Sequence, residues 1–503
     1  MGLISKLRSW SHELTPYFIY LLFVATLGPL LFGYHLAELN APQDVITCTK
    51  RSTDISTFTS LPQCIPMNST QIGLVSSIFT LGGLVGALFS GFLAAKYGRL
   101  LVMRVNTLLL AVGPIVEALA PNLGLLAVGR LVSGIGAGVS VVVVPIYISE
   151  IAPPKERGFF GAFTQIMTNM GIFITQLLGY FLSHGQMWRV ILAVAGAIGV
   201  LQLLGLLFSV DSPTWQADHG DAREAKANLK RIRGHKADIS EEVAVWRMVI
   251  VPSRYSSLPL LQKTNMLNAE EQTPLVDEDQ TAVQRVKQEA VGIISVLRDS
   301  THNRAILAVV LVMMAQQLCG INSIIMYGVS LLADLLASNS ALLNILVSIL
   351  NVVATTAFAP LADILGRKIC ILASIAGMGV SSIMLAVGIR SSIPVLSAIS
   401  VLLFVASFAF GLGPVPFILA NELVGPEAVG ATQSWALAAN WISTFVVAQF
   451  FPMVNEQLGK GVVYFIFAGV AAVFWVIVFW YVPETMGKRD ADEVWGRNTR
   501  RED

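Results

Sequence analysis

Apolar stretches of about 20 residues recur along this chain, long enough to cross a hydrocarbon core as helices. Twelve are present: roughly 16–36, 71–95, 102–120, 122–146, 159–183 and 189–209, then 305–331, 341–363, 369–389, 393–420, 429–454 and 460–482. Buried helices of a large soluble protein could also be apolar, but the charge content argues otherwise. Charged residues are 13% of 503 and hydrophobic residues 54%, whereas soluble chains are about 25% charged. The expected class is an all-α membrane protein with twelve transmembrane helices.

Short motifs repeat between the two sets of six. Gly91-x3-Ala95-x2-Gly98-Arg99 is echoed by Ala359-x3-Asp363-x2-Gly366-Arg367-Lys368 at an offset of 268. Glu150-x2-Pro153-x3-Arg157-Gly158 is echoed by Glu422-x3-Pro426-x2-Val429-Gly430, and Asp211-Ser212-Pro213 by Glu484-Thr485. Marks paired at nearly one offset indicate an internal duplication. The expected organisation is an N-terminal six-helix half over 1–210, a cytoplasmic linker bundle over 211–304, and a C-terminal half with a short cytoplasmic tail over 305–503. Within the linker, Ala222–Arg233 reads as a basic surface helix, with further short helices at 240–250 and 282–298. The segment 252–281, rich in Ser, Pro, Gln and acids, is expected to be disordered. Two parallel halves in a membrane imply a substrate site between them and motion of one against the other.

Lys and Arg fix the expected orientation. With both termini cytoplasmic, the inner side holds 27 of the 33 and the outer side only Lys50, Arg51, Arg189, Arg390 and Lys460. Arg130 is left inside a helix, where a guanidinium needs a carboxylate or carbonyl partner. The first outer loop contains the glycosylation acceptor pattern Asn68-Ser69-Thr70. It also contains Cys48 and Cys64, which could form a disulfide in an oxidising lumen or remain as thiols. Cys319 and Cys370 read as small apolar packing residues. Gly82, Gly86 and Ser90, with Gly134, Gly136 and Gly138, read as close-packing positions between helices.

Gly129-Arg130-x3-Gly134-x-Gly136-x-Gly138, followed by Pro145-x-Tyr147-x2-Glu150-x-Ala152-Pro153-x3-Arg157-Gly158, resembles the sugar porter signature of the major facilitator superfamily. Gln316-Gln317-Leu318-x-Gly320-x-Asn322 resembles the sugar-contacting motif of helix seven, and Pro483-Glu484-Thr485-x-Gly487 the closing motif. Asn40-Ala41-Pro42-Gln43 is similar to facilitative glucose transporters, and together with Gly33-Tyr34-His35 resembles fungal vacuolar members of the family. The resemblance implies the major facilitator fold, a small-molecule sugar as substrate, the lipid bilayer as surroundings and no cofactor or metal. No nucleophile or phosphate motif supports an enzyme, and nothing points to nucleic acid.

A hexose presents about five hydroxyls, each donor and acceptor, and side-chain amides match them in both roles. The candidate substrate-binding residues are Gln165, Gln316, Gln317, Asn322, Asn351, Asn440 and Trp441, whose family counterparts lie at the central sugar site. Interhelical hydrogen bonding is the competing role for these amides. Phe417 stands where glucose transporters have a tryptophan, and Ala409, Met326 and Thr444 replace polar or aromatic residues, so the expected substrate is a hexose or related polyol. The resemblance implies that the charged residues Arg99, Glu150, Arg157, Asp211, Asp363, Arg367, Glu422 and Glu484 gate the inner side through ion pairs between the halves, with Arg130 a further gating candidate. Ala95, Val429 and Val210 depart from the family pattern at the inner gate, which implies a thinner network.

Proton-coupled relatives carry an Asp where this chain has His35. That favours facilitated diffusion, yet Glu38 lies one turn beyond on the same helical face. The pair is a candidate proton site or a static ion pair. A non-transporting sugar sensor on the same fold is the alternative from another class, although the C-terminal tail is short for one. Glu271-Gln272-Thr273-Pro274-Leu275-Val276 resembles an acidic dileucine sorting signal, which implies a sorting adaptor complex as partner. The expected location is the vacuolar membrane, with the plasma membrane as the alternative.

Overall fold

The computed structural model describes residues 14–50, 60–234, 237–240, 242–244, 296, 300–336, 339–358, 361–425, 428–488 and 491–496. The first half contributes α1 (Pro16–Ala37), α2 (Ser69–Tyr97), α3 (Arg99–Ala118), α4 (Leu123–Ile151), α5 (Arg157–Leu182) and α6 (Trp188–Leu207). The second contributes α7 (Ser300–Leu318 continued by Ile321–Leu336), α8 (Asn339–Phe358) and α9 (Arg367–Arg390). It closes with α10 (Pro394–Phe410 continued by Val415–Glu422), α11 (Val429–Leu458) and α12 (Val463–Tyr481). Eleven of these spans are long and apolar enough to cross a membrane. The twelfth, α5, is 26 residues long but carries Thr164, Gln165, Thr168, Asn169, Thr175 and Gln176. Asn169, Thr175 and Gln176 are buried. Its polarity belongs to the interior of the bundle. Exposed Phe92, Phe181, Val395 and Trp480 form the outward surface that a bilayer covers.

Small residues bring the helices together as expected. A Cβ on Gly82 or Gly86 of α2 would collide with the Leu131 or Ile135 carbonyl of α4, and one on Gly134 or Gly138 with the Phe79 or Gly83 carbonyl of α2. Gly33 and Gly171 do the same between α1 and α5. Such contact replaces hydrophobic driving force, which lipid removes between membrane helices.

The face that the charge bias assigns to the cytoplasm, termed inner below, carries short helices at Pro213–Asp218 and Ala222–Arg233. Ala217, Ala225, Leu229 and Ile239 form their small core. Arg233 fastens them to the inner end of α4 by donating to the Ile151 and Ala152 carbonyls, the latter at 3.0 Å. The expected helix at 282–298 and the insert 252–281 fall outside the described residues, apart from Val296, and so does most of 240–250. On the outer face Cys48 and Cys64 form a disulfide. The same loop is held by Trp188 Nε1, which donates to the Gln63 carbonyl at 2.9 Å, and by Arg189, which donates to the Pro62 carbonyl at 2.9 Å. Asn68 is exposed and caps α2, its Oδ1 accepting from Gln71 N at 2.9 Å.

Candidate functional site

Two helix breaks build the site. α7 stops at Leu318 and resumes at Ile321, with Gly320 at φ +101°. α10 stops at Phe410 and resumes at Val415, across Gly411, Leu412, Gly413 and Pro414. A break frees backbone groups that lipid cannot satisfy. Gln316 answers this need, its Nε2 donating to the Leu412 and Gly413 carbonyls, the latter at 3.1 Å. Its Oε1 then accepts from Gln317 Nε2 at 3.0 Å and from Asn440 Nδ2 of α11. Asn322 Nδ2 donates to Gln317 Oε1 at 2.6 Å and approaches Thr444 Oγ1 at 3.4 Å. Gln316, Gln317, Asn322 and Thr444 are buried, and Asn440 is half-buried.

A second amide group spans the halves. Gln165 Nε2 donates to Asn169 Oδ1 at 3.2 Å within α5. Across the interface, Asn351 Nδ2 of α8 donates to the same oxygen at 3.3 Å, and Asn169 Nδ2 donates to Thr355 Oγ1 at 3.1 Å. The sequence reading missed Asn169 and Thr355. Each stands four residues beyond a candidate, Gln165 or Asn351, and therefore on the same helical face.

Trp441 lies at the contact between halves, its ring edge-on to Phe32 of α1 at 5.6 Å and to Phe79 of α2 at 6.4 Å. It is buried, and its Nε1 has no partner among the described residues. Phe417 stands apart from this group, 37% exposed on the inner segment of α10.

The outer ends of the halves are joined. Asn40, 1% exposed, donates from Nδ2 to the Ile325 carbonyl at 2.7 Å and accepts from Val329 N at 2.9 Å. Ser77 Oγ of α2 donates to Gln449 Oε1 of α11 at 2.8 Å.

The inner charges are arranged differently from the expectation of ion pairs between halves. Arg99 forms a two-pronged pair with Glu150, Nε to Oε2 at 2.9 Å and Nη2 to Oε1 at 2.7 Å, within the first half. Arg367 pairs likewise with Glu422, at 3.1 and 2.9 Å, within the second. Asp211 Oδ1 accepts from Arg99 N and Leu100 N, both at 3.1 Å. Glu484 accepts from Arg367 N at 2.9 Å and Lys368 N at 3.1 Å. Each acid thus caps the positive end of a helix. The duplicated motif lets each half complete its own network, which is why these partners lie within halves. Arg157 is exposed, and the side chain of Asp363 lies outside the described residues, as do Glu271, Leu275 and Val276.

Arg130 is not at an inner helix end. It is buried with His35 and Glu38, donating from Nη1 to Glu38 Oε1 and to the His35 carbonyl at 2.9 Å. His35 Nδ1 is 3.0 Å from both Glu38 oxygens. Glu117 of α3 joins this group, with an imidazole nitrogen of His35 and a carboxylate oxygen each of Glu38 and Glu117 all within 4.8 Å of one another. The sequence reading missed Glu117 because a single acid in an apolar helix carries no spacing signal.

Residues 21–492 match the model of the "Sugar (and other) transporter" family. The chain belongs to that family. It is 33% identical over 94% of its length to "Probable metabolite transport protein YBR241C" of Saccharomyces cerevisiae, covering 93% of that protein. It is 30% identical to "Vacuolar protein sorting-associated protein 73" of the same yeast, over 96% of each chain. It is 29% identical to the pig "Solute carrier family 2, facilitated glucose transporter member 2", over 95% of this chain and 93% of that one. Among solved structures, the xylose transporter XylE from E. coli in a partially occluded inward open conformation superposes with a TM-score of 0.73. That match has 21% identity and covers 94% of this chain and 100% of the other. The fold is therefore the major facilitator fold, the family transports sugars and related solutes, and the protein is an integral membrane transporter and not an enzyme.

Proposed function

We propose that this sugar porter carries a hexose or related polyol by alternating access, by facilitated diffusion, through the site where Gln316, Gln317, Asn322, Asn440 and Trp441 converge. One observation carries the reading. Four amides and a buried aromatic ring meet where two helices break, beside the contact of the two halves. Amides supply donors and acceptors without net charge, as a neutral polyol needs. Asn169, held by Gln165, bridges the halves through Asn351 and Thr355, and this bridge would rearrange as they rock. Arg99, Glu150, Asp211, Arg367, Glu422 and Glu484 brace the inner ends of each half, and Asn40 holds the outer ends together. The domain plan of 1–210, 211–304 and 305–503, with both termini cytoplasmic, goes with this reading.

The buried His35–Glu38–Arg130 group favours a second reading, proton-coupled sugar transport, since a carboxylate there offers a place for a co-transported proton. Counterflow of labelled sugars in proteoliposomes, with and without a pH gradient, tests both readings. Exchange of a hexose without accumulation supports facilitated diffusion, accumulation driven by the gradient supports coupling, and no exchange of any sugar overturns transport. The vacuolar membrane is the proposed location, supported by the name of the yeast vacuolar sorting relative and by the dileucine-like segment at Glu271, Leu275 and Val276, which a sorting adaptor would read. Glycosylation at Asn68 is part of the same proposal.

A further inference from the structure

Facilitated diffusion uses the surface between the halves and leaves unused a set of ionisable groups sealed inside the first. His35, Glu38 and Glu117 are at most 1% exposed, and so is Arg130. The group holds two carboxylates and one guanidinium. Glu38 is fully engaged, by Arg130 and by His35 Nδ1 at 3.0 Å. Glu117 has one hydrogen bond, from Ser133 Oγ to its Oε1 at 2.6 Å. Its Oε2 has no partner among the described residues, and neither has His35 Nε2.

The other charged or titratable neighbours bond outside the group, although Arg189 Nε has no partner among the described residues. Tyr34 of α1 donates to the Ile191 carbonyl at 2.7 Å, and Tyr327 of α7 to the Ala448 carbonyl. Arg189 of α6 donates to the Ala118 and Ala120 carbonyls at 2.7 and 2.8 Å. From α2 come only the Val75 carbonyl and the Phe79 ring, which lies 4.5 Å from the Arg130 guanidinium carbon. Two ionised carboxylates against one cation would leave a net negative charge inside a membrane protein, at heavy cost. One proton on Glu117 removes that charge and turns Oε2 into a donor, while His35, with Nδ1 toward Glu38, keeps Nε2 as an acceptor.

We propose that Glu117 carries an exchangeable proton, in a proton-binding site completed by His35, Glu38, Ser133 and Arg130. A small recess lined by Leu39, Gln43, Thr47, Val75, Ser76 and Leu126 lies next to the group in the chain. Leu39 follows Glu38 in the chain, and Leu126 precedes Arg130 by one helical turn. The site deepens the second transport reading by naming the carrier of the proton, and it holds whether or not the proton is coupled to sugar.

The test uses the purified full-length protein and no sugar. Infrared spectroscopy of the wild type should show the carbonyl stretch of a protonated buried carboxyl, and Glu117→Gln should abolish it. The folded state keeps a proton that the unfolded state releases, so thermal stability should fall as pH rises, and that slope should vanish in Glu117→Gln. A band and slope that persist in the variant, or are missing from the wild type, overturn the proposal. If Glu117→Gln does not fold, Ser133→Ala decides: loss of the donor to Glu117 should move the pH at which the band disappears, and an unmoved midpoint overturns the proposal. Failure of these readouts is separate from failure of sugar transport, which counterflow measures.

Discussion

Gln316 shows how one side chain can serve fold and ligand together. Its amide nitrogen satisfies carbonyls freed at the α10 break, while its oxygen gathers Gln317 and Asn440. Gln316→Leu should weaken sugar binding by about 1–3 kcal/mol, roughly 5- to 150-fold, because it strips partners from buried polar groups. Titration calorimetry or binding-induced fluorescence on well-folded variant protein checks this, and unchanged affinity would place the site elsewhere. Asn40 acts across the halves instead. Asn40→Ala removes its hydrogen bonds to α7, each of about 1 kcal/mol, and should raise the outward-facing population. Labelling of a cysteine introduced at the outer mouth reads that shift. Gln316, Gln317 and Asn322 were legible in the sequence because they flank the Gly320 break. Asn169 and Thr355 were not singled out, because their pairing joins positions on different halves and a local pattern does not reveal which amides face one another. Trp441 was legible as an aromatic beside Asn440, but its place against Phe32 and Phe79 of the other half was not.

At the scale of elements, the turns into α3 and α9 repeat one device. Gly98 and Gly366 sit at φ +93° and +99°, and a Cβ on either would collide with the carboxylate of Asp211 or Glu484. Gly366→Ala should therefore lower stability by at least the roughly 1–3 kcal/mol cost of holding a non-glycine residue at φ +99°, ψ +149°, with more from displacing Glu484. A fall in melting temperature, larger than for an Ala placed at exposed Gly430, checks this. The repeated Gly-Arg motif marked the two positions as equivalent in the sequence, without showing the turn itself. The α10 break was not foreseen, and 393–420 read as one continuous stretch. Its interruption at Gly411–Pro414 depends on Gln316 reaching across from α7, a tertiary contact that periodicity does not carry. The α5 span was found within two residues of its observed start, although its polar content, set by what it faces, gives it the weakest membrane signature.

For the whole molecule, the fold class followed from the recurrence of apolar stretches and the duplicated motifs, both global patterns that survive local ambiguity. The inner charges pair within halves and not between them, because the duplicated motif gives each half its own Arg and Glu. Energy coupling also belongs to this scale. An inward proton gradient on sugar-equilibrated proteoliposomes should leave the sugar level unchanged under facilitated diffusion; accumulation abolished by Glu38→Gln would establish coupling. Changing Glu271 and Leu275 together to Ala should move the protein toward the plasma membrane with liposome transport intact, and an unchanged fluorescence distribution would remove the sorting role.

The two-pronged pairs Arg99–Glu150 and Arg367–Glu422 each bind a half to itself. When the halves rock, these pairs travel as passengers and are neither made nor broken. Salt screens charges that approach or separate in water, over about 10 Å at 0.1 M, and it has little to act on where partners keep their distance. Net sugar flux should then be nearly indifferent to ionic strength, while the melting of each half, which does pull these charges apart, should not.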